Sequence, residues 1–580
     1  MENAEVAAVF DETADLMEIL GTDTFKVRSY RRAAEVARGL GESLAAVRER
    51  EGLDSLPHIG KSLAGKMAEL LDAGRMAAHE ELKAQVPAGL LEMLRIPGLG
   101  PRKAALVWKE RGIGSVDQLE AAAQAGELRE LPGMGARSEA KLLHAIAIYR
   151  QGASRRLLSE MLPVAERIVE ELRAVPGVRQ VQYAGSTRRM RETIGDLDIL
   201  ATGEDPQAIG AAFQQLPDIA EIELAGDTKV SGRLRIGVQV DLRVVPPASY
   251  GAALVYFTGS KDHNIALRGR AQDLGLKISE YAVEPTNGSE PLPAETEEKV
   301  YAAVGLPWVP PELREDRGEL EAAEQGDLPH LIEQGDLRAD LQMHSEWSDG
   351  THSIADLAQR AQQLGYDYVA ITDHSGSLYV AHGLDLTRLA ARRAEIEEVN
   401  EQLAEAGSSF RVLAGTEVDI LSDGGLDYPD DVLADLDFVI GSIHQGFSND
   451  RDRMTRRMLA AIESGLVDLI AHPTGRVLLG REGYPLDVEA VIEAAAEHRV
   501  ALEINAFPER LDLGDTQARL ARERGVLLSI NTDAHSPEHL PFMRYGVATA
   551  RRAWASARDV INCLSLEEFR AWRQARRSDG

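Results

Sequence analysis

Four apolar runs in the carboxy-terminal part of this 580-residue chain end the same way. Residues 368–374 close on Asp373-His374, 438–444 on His444, 467–472 on His472, and 527–535 on Asp533-Ala534-His535. A fifth run, 412–416, is followed by Glu417, and Met343-His344-Ser345-Glu346-Trp347-Ser348-Asp349-Gly350 opens the region. The runs are short and rich in Val, Ile and Leu, as strands buried on both faces are. Helical segments alternate with them, a pattern that predicts a barrel of parallel strands whose carboxyl ends gather in one place. Nine of the fourteen histidines follow residue 340. One histidine at a strand end is ordinary; recurrence at equivalent ends points to a shared metal centre.

A second constellation lies upstream. In Gly195-Asp196-Leu197-Asp198-Ile199-Leu200 the apolar residues continue as a strand, and alternation puts Asp196 and Asp198 on one face, opposite Leu197 and Ile199. Asp241 sits in another strand-like run, 238–245, which would place it in the same sheet. Three carboxylates on neighbouring strands bind hard cations that activate an oxygen nucleophile and neutralise a polyphosphate leaving group. Ten residues before the pair stands Gly185-Ser186-Thr187-Arg188-Arg189. There Ser186 and the backbone can approach phosphate oxygens while Arg189 clamps them.

These motifs, with Tyr256-Phe257-Thr258-Gly259-Ser260 downstream, resemble the palm and thumb of a family X DNA polymerase of the beta-like nucleotidyltransferase superfamily. The resemblance implies that Asp196, Asp198 and Asp241 hold two magnesium or manganese ions and that Asp241 helps orient the primer 3′-hydroxyl. It implies that Gly185, Ser186, Arg189 and Gly195 receive the triphosphate of a deoxynucleotide. Tyr256, Phe257 and Gly259 would lie against its sugar, and Asn264 and Arg268 would read the minor-groove side of the nascent pair. Lys261 and His263 depart from the vertebrate pattern.

The first 150 residues read as helices punctuated by glycines. Ile96-Pro97-Gly98-Leu99-Gly100 and Leu131-Pro132-Gly133-Met134-Gly135 follow the helix-hairpin-helix pattern, in which the next helix offers N-terminal amides to a DNA phosphate. Leu56-Pro57-His58-Ile59-Gly60 is a third copy, with His58 in place of a glycine. Such contacts position DNA rather than read its sequence, so Gly60, Gly98, Gly100, Gly133 and Gly135 are DNA-binding candidates. Segments 25–34 and 61–70 resemble the small amino-terminal domain of family X enzymes, whose pocket takes a gap's 5′-phosphate. By that resemblance Lys26, Tyr30 and Arg31 line the pocket. Lys66 falls on the Schiff-base lysine of the lyase members; a solvated lysine on an amphipathic helix is the alternative.

The carboxy-terminal ligand pattern resembles the PHP family of metal-dependent phosphoesterases, which hold three metals with nine ligands. Carried over, the set is His344, Asp349, His374, Glu417, His444, His472, Asp533 and His535. The ninth position is Gln342, where the family has His-x-His; an amide is a poorer ligand than imidazole. The resemblance groups His344, Glu417 and Asp533 at the site lacking that histidine, His444 and His472 with Glu417 at a second, and His374, Asp349 and His535 at a third.

The expected architecture is therefore multidomain, α and α/β: helical helix-hairpin-helix parts at 1–85 and 86–153, a nucleotidyltransferase palm at 154–245 and a thumb at 246–316. An acidic, extended or loosely helical linker at 317–338 leads to a distorted TIM-type PHP barrel at 339–575. The net charge of −30 is unusual for a DNA-binding protein. It is concentrated elsewhere: residues 1–150 carry about 20 basic and about 23 acidic side chains. One cysteine, Cys563, and the lack of a signal peptide or long apolar span predict a cytoplasmic protein that does not enter a membrane. The resemblance implies a monomeric repair polymerase acting on gapped or primed DNA with a 5′-phosphate and using deoxynucleoside triphosphates. Its barrel, loaded with up to three manganese or zinc ions, would act as a 3′–5′ exonuclease. Abasic-site endonuclease and small-molecule phosphatase activity are the alternatives for the barrel, and a non-enzymatic gap-binding scaffold is the alternative for the whole chain.

Overall fold

The computed structural model describes residues 3–22, 24–38, 44–50, 52–56, 59–94, 96, 98–153, 155–447 and 450–578. The chain forms two compact units, Met1–Ala153 and Ser154–Gly580.

The first unit is helical. Helices Asn3–Leu20, Thr24–Arg38 and Lys61–Ala73 close over Phe10, Tyr30, Ala33, Met67 and Leu70. A second core, with Leu90, Val107, Leu119 and Ile146, joins Ala88–Met93, Pro101–Arg111, Val116–Ala125 and Ala136–Ala153. The turns between paired helices carry Gly98 and Gly133 at φ +81° and +76°, a region that favours glycine. Pro57, His58 and Pro97 of these hairpins lie outside the described residues.

The second unit begins with a five-stranded sheet: β1 (Val178–Tyr183), β2 (Asp196–Gly203), β3 (Ile219–Ala225), β4 (Lys229–Leu234) and β5 (Gln239–Val244), in the order β1-β2-β5-β4-β3. Only β2 and β5 pair in parallel, with Asp198 opposite Asp241. Helix Leu158–Arg173 covers the sheet through Leu158, Met161, Leu162, Ala165, Ile168, Val169 and Leu172, a stripe at helical spacing. Helices Tyr250–Thr258, Lys261–Asp273 and Glu297–Ala303 follow around Leu267, Val283, Val300, Tyr301 and Leu313. Arg188 ties sheet to helices: its guanidinium donates to both oxygens of Glu297 at 2.7 and 2.8 Å, and Arg314 and Trp308 donate to the same carboxylate.

The barrel strands are β6 (Ala339–Met343), β7 (Tyr368–Ile371), β8 (Arg411–Asp419), β9 (Phe438–Ser442), β10 (Leu469–Ile470), β11 (Ala501–Asn505) and β12 (Leu528–Asn531). All run parallel in sequence order, and a bridge from Met343 to Ala534 nearly closes the ring. The segment before β6, whose composition predicts an extended or loosely helical linker, contains helix Glu319–Gln325 and buries Leu320, Ala323, Leu331 and Ile332, so it packs as a strap. The sheet and the barrel share a core, since Leu511 and Tyr545 from the barrel pack among the sheet's apolar residues. Arg476 pairs with Glu192 at 2.7 Å, and Arg544 with Glu166. Among the described residues no helix is long and apolar enough to cross a membrane.

Gly251 marks a tight joint between two of the helices that follow the sheet: a Cβ there would lie 2.2 Å from the backbone carbon of Thr296, the cap of helix Glu297–Ala303. Gly251→Ala is expected to force the two helices apart and cost about 1–3 kcal/mol. A lowered melting temperature is the predicted readout; an unchanged one would show that the joint yields freely.

Candidate metal centres and nucleotide pocket

Parallel pairing of β2 with β5 brings two carboxylates from distant segments together. Asp196 stands exposed at the start of β2 and Asp198 follows on the same face, with Leu197 and Ile199 buried on the other. Burial pushes the Asp198 carboxyl up to about 7, and the charges of Asp196 and Asp241 add to the effect. Asp241 behaves oppositely: burial would raise it, but the Lys229 ammonium, 3.0 Å away, and its hydrogen bonds hold it below the usual range. Gly185, at φ +59°, lets the chain pass Asp198, whose Oδ2 would lie 2.8 Å from a Cβ there. An all-oxygen set of carboxylates, one of them destabilised by its neighbours, fits magnesium or manganese.

A cavity of about 670 Å³ adjoins this pair. The sequence-predicted Gly185, Ser186, Arg189, Asp196, Asp198, Tyr256, Phe257, Gly259, Asn264 and Arg268 all line it. Gly195 and Asp241 are near it in the fold but do not line it. Arg155, Arg191, Lys261 and Glu315 also line it. The cavity is therefore strongly cationic around the carboxylates, as a polyphosphate site requires. Phe257 packs edge-on to Tyr256, with ring centroids 5.1 Å apart, and lies under the Arg243 guanidinium at 4.5 Å. The Asn264 amide donates to the Tyr256 carbonyl at 2.7 Å, and Arg268 to the Asn264 carbonyl at 3.1 Å. His263 turns inward, between Glu319 at 2.5 Å and the Tyr301 hydroxyl at 2.8 Å.

In the barrel, strand-end geometry gathers all eight sequence-predicted ligands. Glu417 is the hub. Its Oε1 lies 3.1 Å from His472 Nε2 and 3.3 Å from His444 Nε2, and its Oε2 lies 3.3 Å from both His344 Nε2 and His374 Nδ1. Asp349 stands 3.6 Å from His374 and 3.4 Å from His535, and Asp533 stands 3.0 Å from His344. Three groups can each hold one ion: His344, Asp349, His374 and His535; His374, Glu417 and His444; and His344, Glu417 and Asp533. The partition differs from the expected one: His344 and His374 each belong to two groups, and His472, expected beside His444 and Glu417, belongs to none, although it lies against Glu417. Glu417 does not close its strand either; it sits inside β8, which runs on to Asp419.

The same residues are incomplete without cations. His344 Nδ1 and Nε2, His374 Nδ1, Glu417 Oε2 and Gln342 Oε1 are all buried with no hydrogen-bond partner. Leaving such atoms unpaired costs about 1–3 kcal/mol each, so the cluster fits a bound metal set. Electrostatics agree. Burial pushes His374 down to about 4, helped by the His344 charge, while His444 rises to about 9 against its burial because Glu417 and Asp419 face it. Gln342 donates to Asp533 at 3.4 Å, so the amide lies beside a candidate ligand. His472 and Asp533 hold φ of +30° and +53°, strain typical of residues fixed for function.

Several participants carry no repeated signal in the sequence. Asp419 fixes the His444 ring through Nδ1 at 2.8 Å, as outer partners of metal-binding histidines do. Glu503 accepts from the His472 amide at 2.7 Å and from Asn531 at 2.8 Å; burial raises its carboxyl well above the usual range, and the Asp533 charge adds to this. Arg510 stands 3.9 Å from Asp533. Only the position of Asp419 two residues beyond Glu417, on the same face of β8, offered a clue to its role.

In the first unit Lys66 meets Tyr30: its ammonium donates to the phenol oxygen and lies 4.7 Å from the ring centroid. Lys26 is exposed on the same helix as Tyr30. Arg31 instead pairs with Asp15 at 2.8 Å and Glu18 at 3.0 Å, so its charge is already engaged. Gly60, Gly98, Gly100, Gly133 and Gly135 have nothing within 4 Å of a would-be Cβ, an open surface at the head of each following helix. Between two hairpins, Lys103 and Lys141 line a cleft of about 190 Å³ with Gly98 and Ser138.

Known families match along the chain: a helix-hairpin-helix domain at residues 1–76, a SAM-like helix-hairpin-helix tandem at 90–147, the DNA polymerase beta thumb at 253–315 and the PHP domain at 340–507. DNA polymerase lambda of Rattus norvegicus is 26% identical over 323 residues, 50% of this chain and 53% of that protein. A probable phosphatase of Shewanella sp. (strain ANA-3) is 32% identical over 205 residues, 33% of this chain and 75% of that protein. The DNA polymerase/3′-5′ exonuclease PolX of Bacillus subtilis (strain 168) is 39% identical over 574 residues, 99% of each chain. With both metal-ligand constellations present and a relative that similar along its whole length, the chain belongs to the family X DNA polymerases that carry a PHP domain.

Proposed function

We propose that this protein is a DNA polymerase that fills short gaps during repair and trims 3′ ends with its barrel. The observation that carries the reading is the pairing of Asp198 with Asp241 on adjacent parallel strands beside a cationic, aromatic-walled cavity. Magnesium or manganese bound by Asp196, Asp198 and Asp241 would supply Lewis acidity to the primer hydroxyl and the leaving diphosphate. Asp241 orients the hydroxyl; Ser186 and Arg189 hold the triphosphate; Tyr256, Phe257 and Gly259 bound its sugar. Asn264 and Arg268 meet the nascent pair. The barrel ligands hold manganese or zinc, and Asp419 keeps the His444 ring in a fixed tautomer and orientation while the substrate phosphodiester is bound. The protein acts as a cytoplasmic monomer on gapped DNA, with the hairpin glycines letting phosphates approach the helix heads.

The similarity of the barrel to a probable phosphatase favours one further reading, hydrolysis of small phosphomonoesters. Comparing hydrolysis of single-stranded DNA with that of histidinol phosphate separates the two; faster turnover of the small ester would replace the nuclease reading.

Primer extension on a gapped duplex tests the two centres separately. Asp198→Ala is expected to abolish nucleotide addition, with 3′-end degradation intact; near-normal extension would remove Asp198 from the catalytic set. His374→Ala is expected to do the reverse and to lower the metal content measured on purified protein. Simultaneous loss of both activities in either variant would mean misfolding or a shared site. Gln342→His is expected to tighten metal binding in the barrel, read by titration against a chelator; unchanged affinity would place residue 342 outside the ligand shell.

The amino-terminal pocket predicts that a 5′-phosphate on the gap tightens binding, by about 1.5–3 kcal/mol if a charge-assisted contact is desolvated and less if exposed. Equal affinity with and without the phosphate would count against Lys26, Tyr30 and Arg31 as its receptor. Borohydride trapping on an abasic substrate tests Lys66 as an amine nucleophile, and the absence of an adduct would assign it to phosphate binding or to the surface.

A further inference from the structure

Arg552 ends helix Met543–Arg552 of the barrel, yet its side chain is buried against the polymerase cavity. Its Nη1 donates to the backbone carbonyl of Arg189 at 2.8 Å and to Glu315 Oε1 at 3.0 Å, and its Nη2 to Asp515 Oδ2 at 2.6 Å. Glu315 Oε1 also accepts from Arg189 Nε at 3.1 Å. A single carboxylate oxygen thus joins an arginine of the nucleotide cavity to an arginine of the barrel. The join is braced from behind: Asp515 also accepts from Arg317 at 3.1 Å, and Arg519 donates to the Arg317 carbonyl at 2.9 Å.

The arrangement fixes Arg189 at three points. Its carbonyl is held by Arg552, its Nε by Glu315, and its Nη1 donates to the Thr258 carbonyl. Nη2 is the guanidinium nitrogen that no described protein group uses. A long side chain loses about 2 kcal/mol of rotamer entropy when fixed, and an arginine ordered in advance spends less of its binding energy on that when an anion arrives. Glu315 alone would be a poor anchor. An unshared carboxylate on the cavity wall would neutralise Arg189 and repel a polyphosphate, whereas Arg552 shares that charge and holds it in place.

We propose that Arg552 is a positioning residue for the polymerase site: through Glu315 and the Arg189 carbonyl, the barrel sets the guanidinium that receives the nucleotide's triphosphate. The inference rests on the role of Arg189 given above, and the test separates the two.

Single-nucleotide insertion kinetics on a gapped duplex, with the full-length protein, supply that test. Arg552→Ala is expected to raise the nucleotide KM by roughly three- to tenfold, with kcat within about twofold and exonuclease activity unchanged. Arg552→Lys keeps a charge between Glu315 and Asp515 but cannot span the carbonyl and both carboxylates, so it should give an intermediate rise; it also serves if the alanine variant does not fold. In an Arg189→Ala background, Arg552→Ala should add nothing to KM. If Arg189→Ala itself leaves KM unchanged, the assignment of Arg189 is wrong. If Arg189→Ala raises KM while the folded Arg552 variants do not, the relay alone is overturned. An additive effect in the double variant, or a parallel loss of kcat and exonuclease activity, would also overturn it by showing a general structural role.

Discussion

One carboxylate among four imidazoles organises the barrel. Glu417 lies within 3.3 Å of nitrogens on His344, His374, His444 and His472, each from a different strand end. Protons alone satisfy such a cluster only in part: Glu417 and the imidazoles around it favour one another's charged forms against burial, yet several of their buried atoms keep no hydrogen-bond partner. The unpaired buried atoms of His344, His374 and Glu417 express that conflict directly. Cations would resolve it, and a ring of parallel strands brings the candidate ligands together at its carboxyl ends. The same logic at smaller scale operates in the palm, where Asp198 faces Asp241 across one parallel ladder in an otherwise antiparallel sheet.

The second consequence concerns the join between the centres. Polymerase sheet, thumb helices and barrel share apolar cores through Leu511, Tyr545 and Trp554. Ion pairs then fix the orientation of that join: Arg476 with Glu192, Arg551 with Glu312, and Arg552 with Glu315. These arginines are mostly buried, so removing one partner would leave an uncompensated charge and cost more than losing an exposed surface pair, which ties the two parts to one orientation. A polymerase and a nuclease built this way are one body rather than two enzymes on a string.

Much of this was legible in the sequence, for a physical reason. Metal ligands must sit at strand ends or alternate along strands, so His374, His444, His472 and the Asp196 and Asp198 pair inherit a periodicity that can be read. Glu417 was found although it lies inside its strand, because the apolar run before it marked the place. Asp419, Glu503, Arg155, Arg191 and Glu315 were not found. Apart from Asp419, which shares a strand face with Glu417, they act singly, through contacts between segments far apart in the chain, and a lone charge in a loop or strand has no pattern to betray it. The acidic segment before the barrel was legible only as an extended or loosely helical linker; that Leu320, Ala323, Leu331 and Ile332 bury it was not, because they are spaced too irregularly to advertise a face. Arg31, which the resemblance places at a phosphate pocket, pairs with Asp15 and Glu18 on the neighbouring helix, partners that its own segment does not reveal.

The central claim is that two separate sets of side chains in this chain, three carboxylates on β2 and β5 and a buried cluster of acids and imidazoles in the barrel, exist to hold cations. Anomalous X-ray diffraction from crystals of the full-length protein soaked in manganese measures this directly. The account predicts anomalous peaks within the Asp196, Asp198 and Asp241 set and within the groups around Glu417. Crystals saturated with manganese that show no peak at Glu417, with His344 and His374 hydrogen-bonded to water instead, would contradict it.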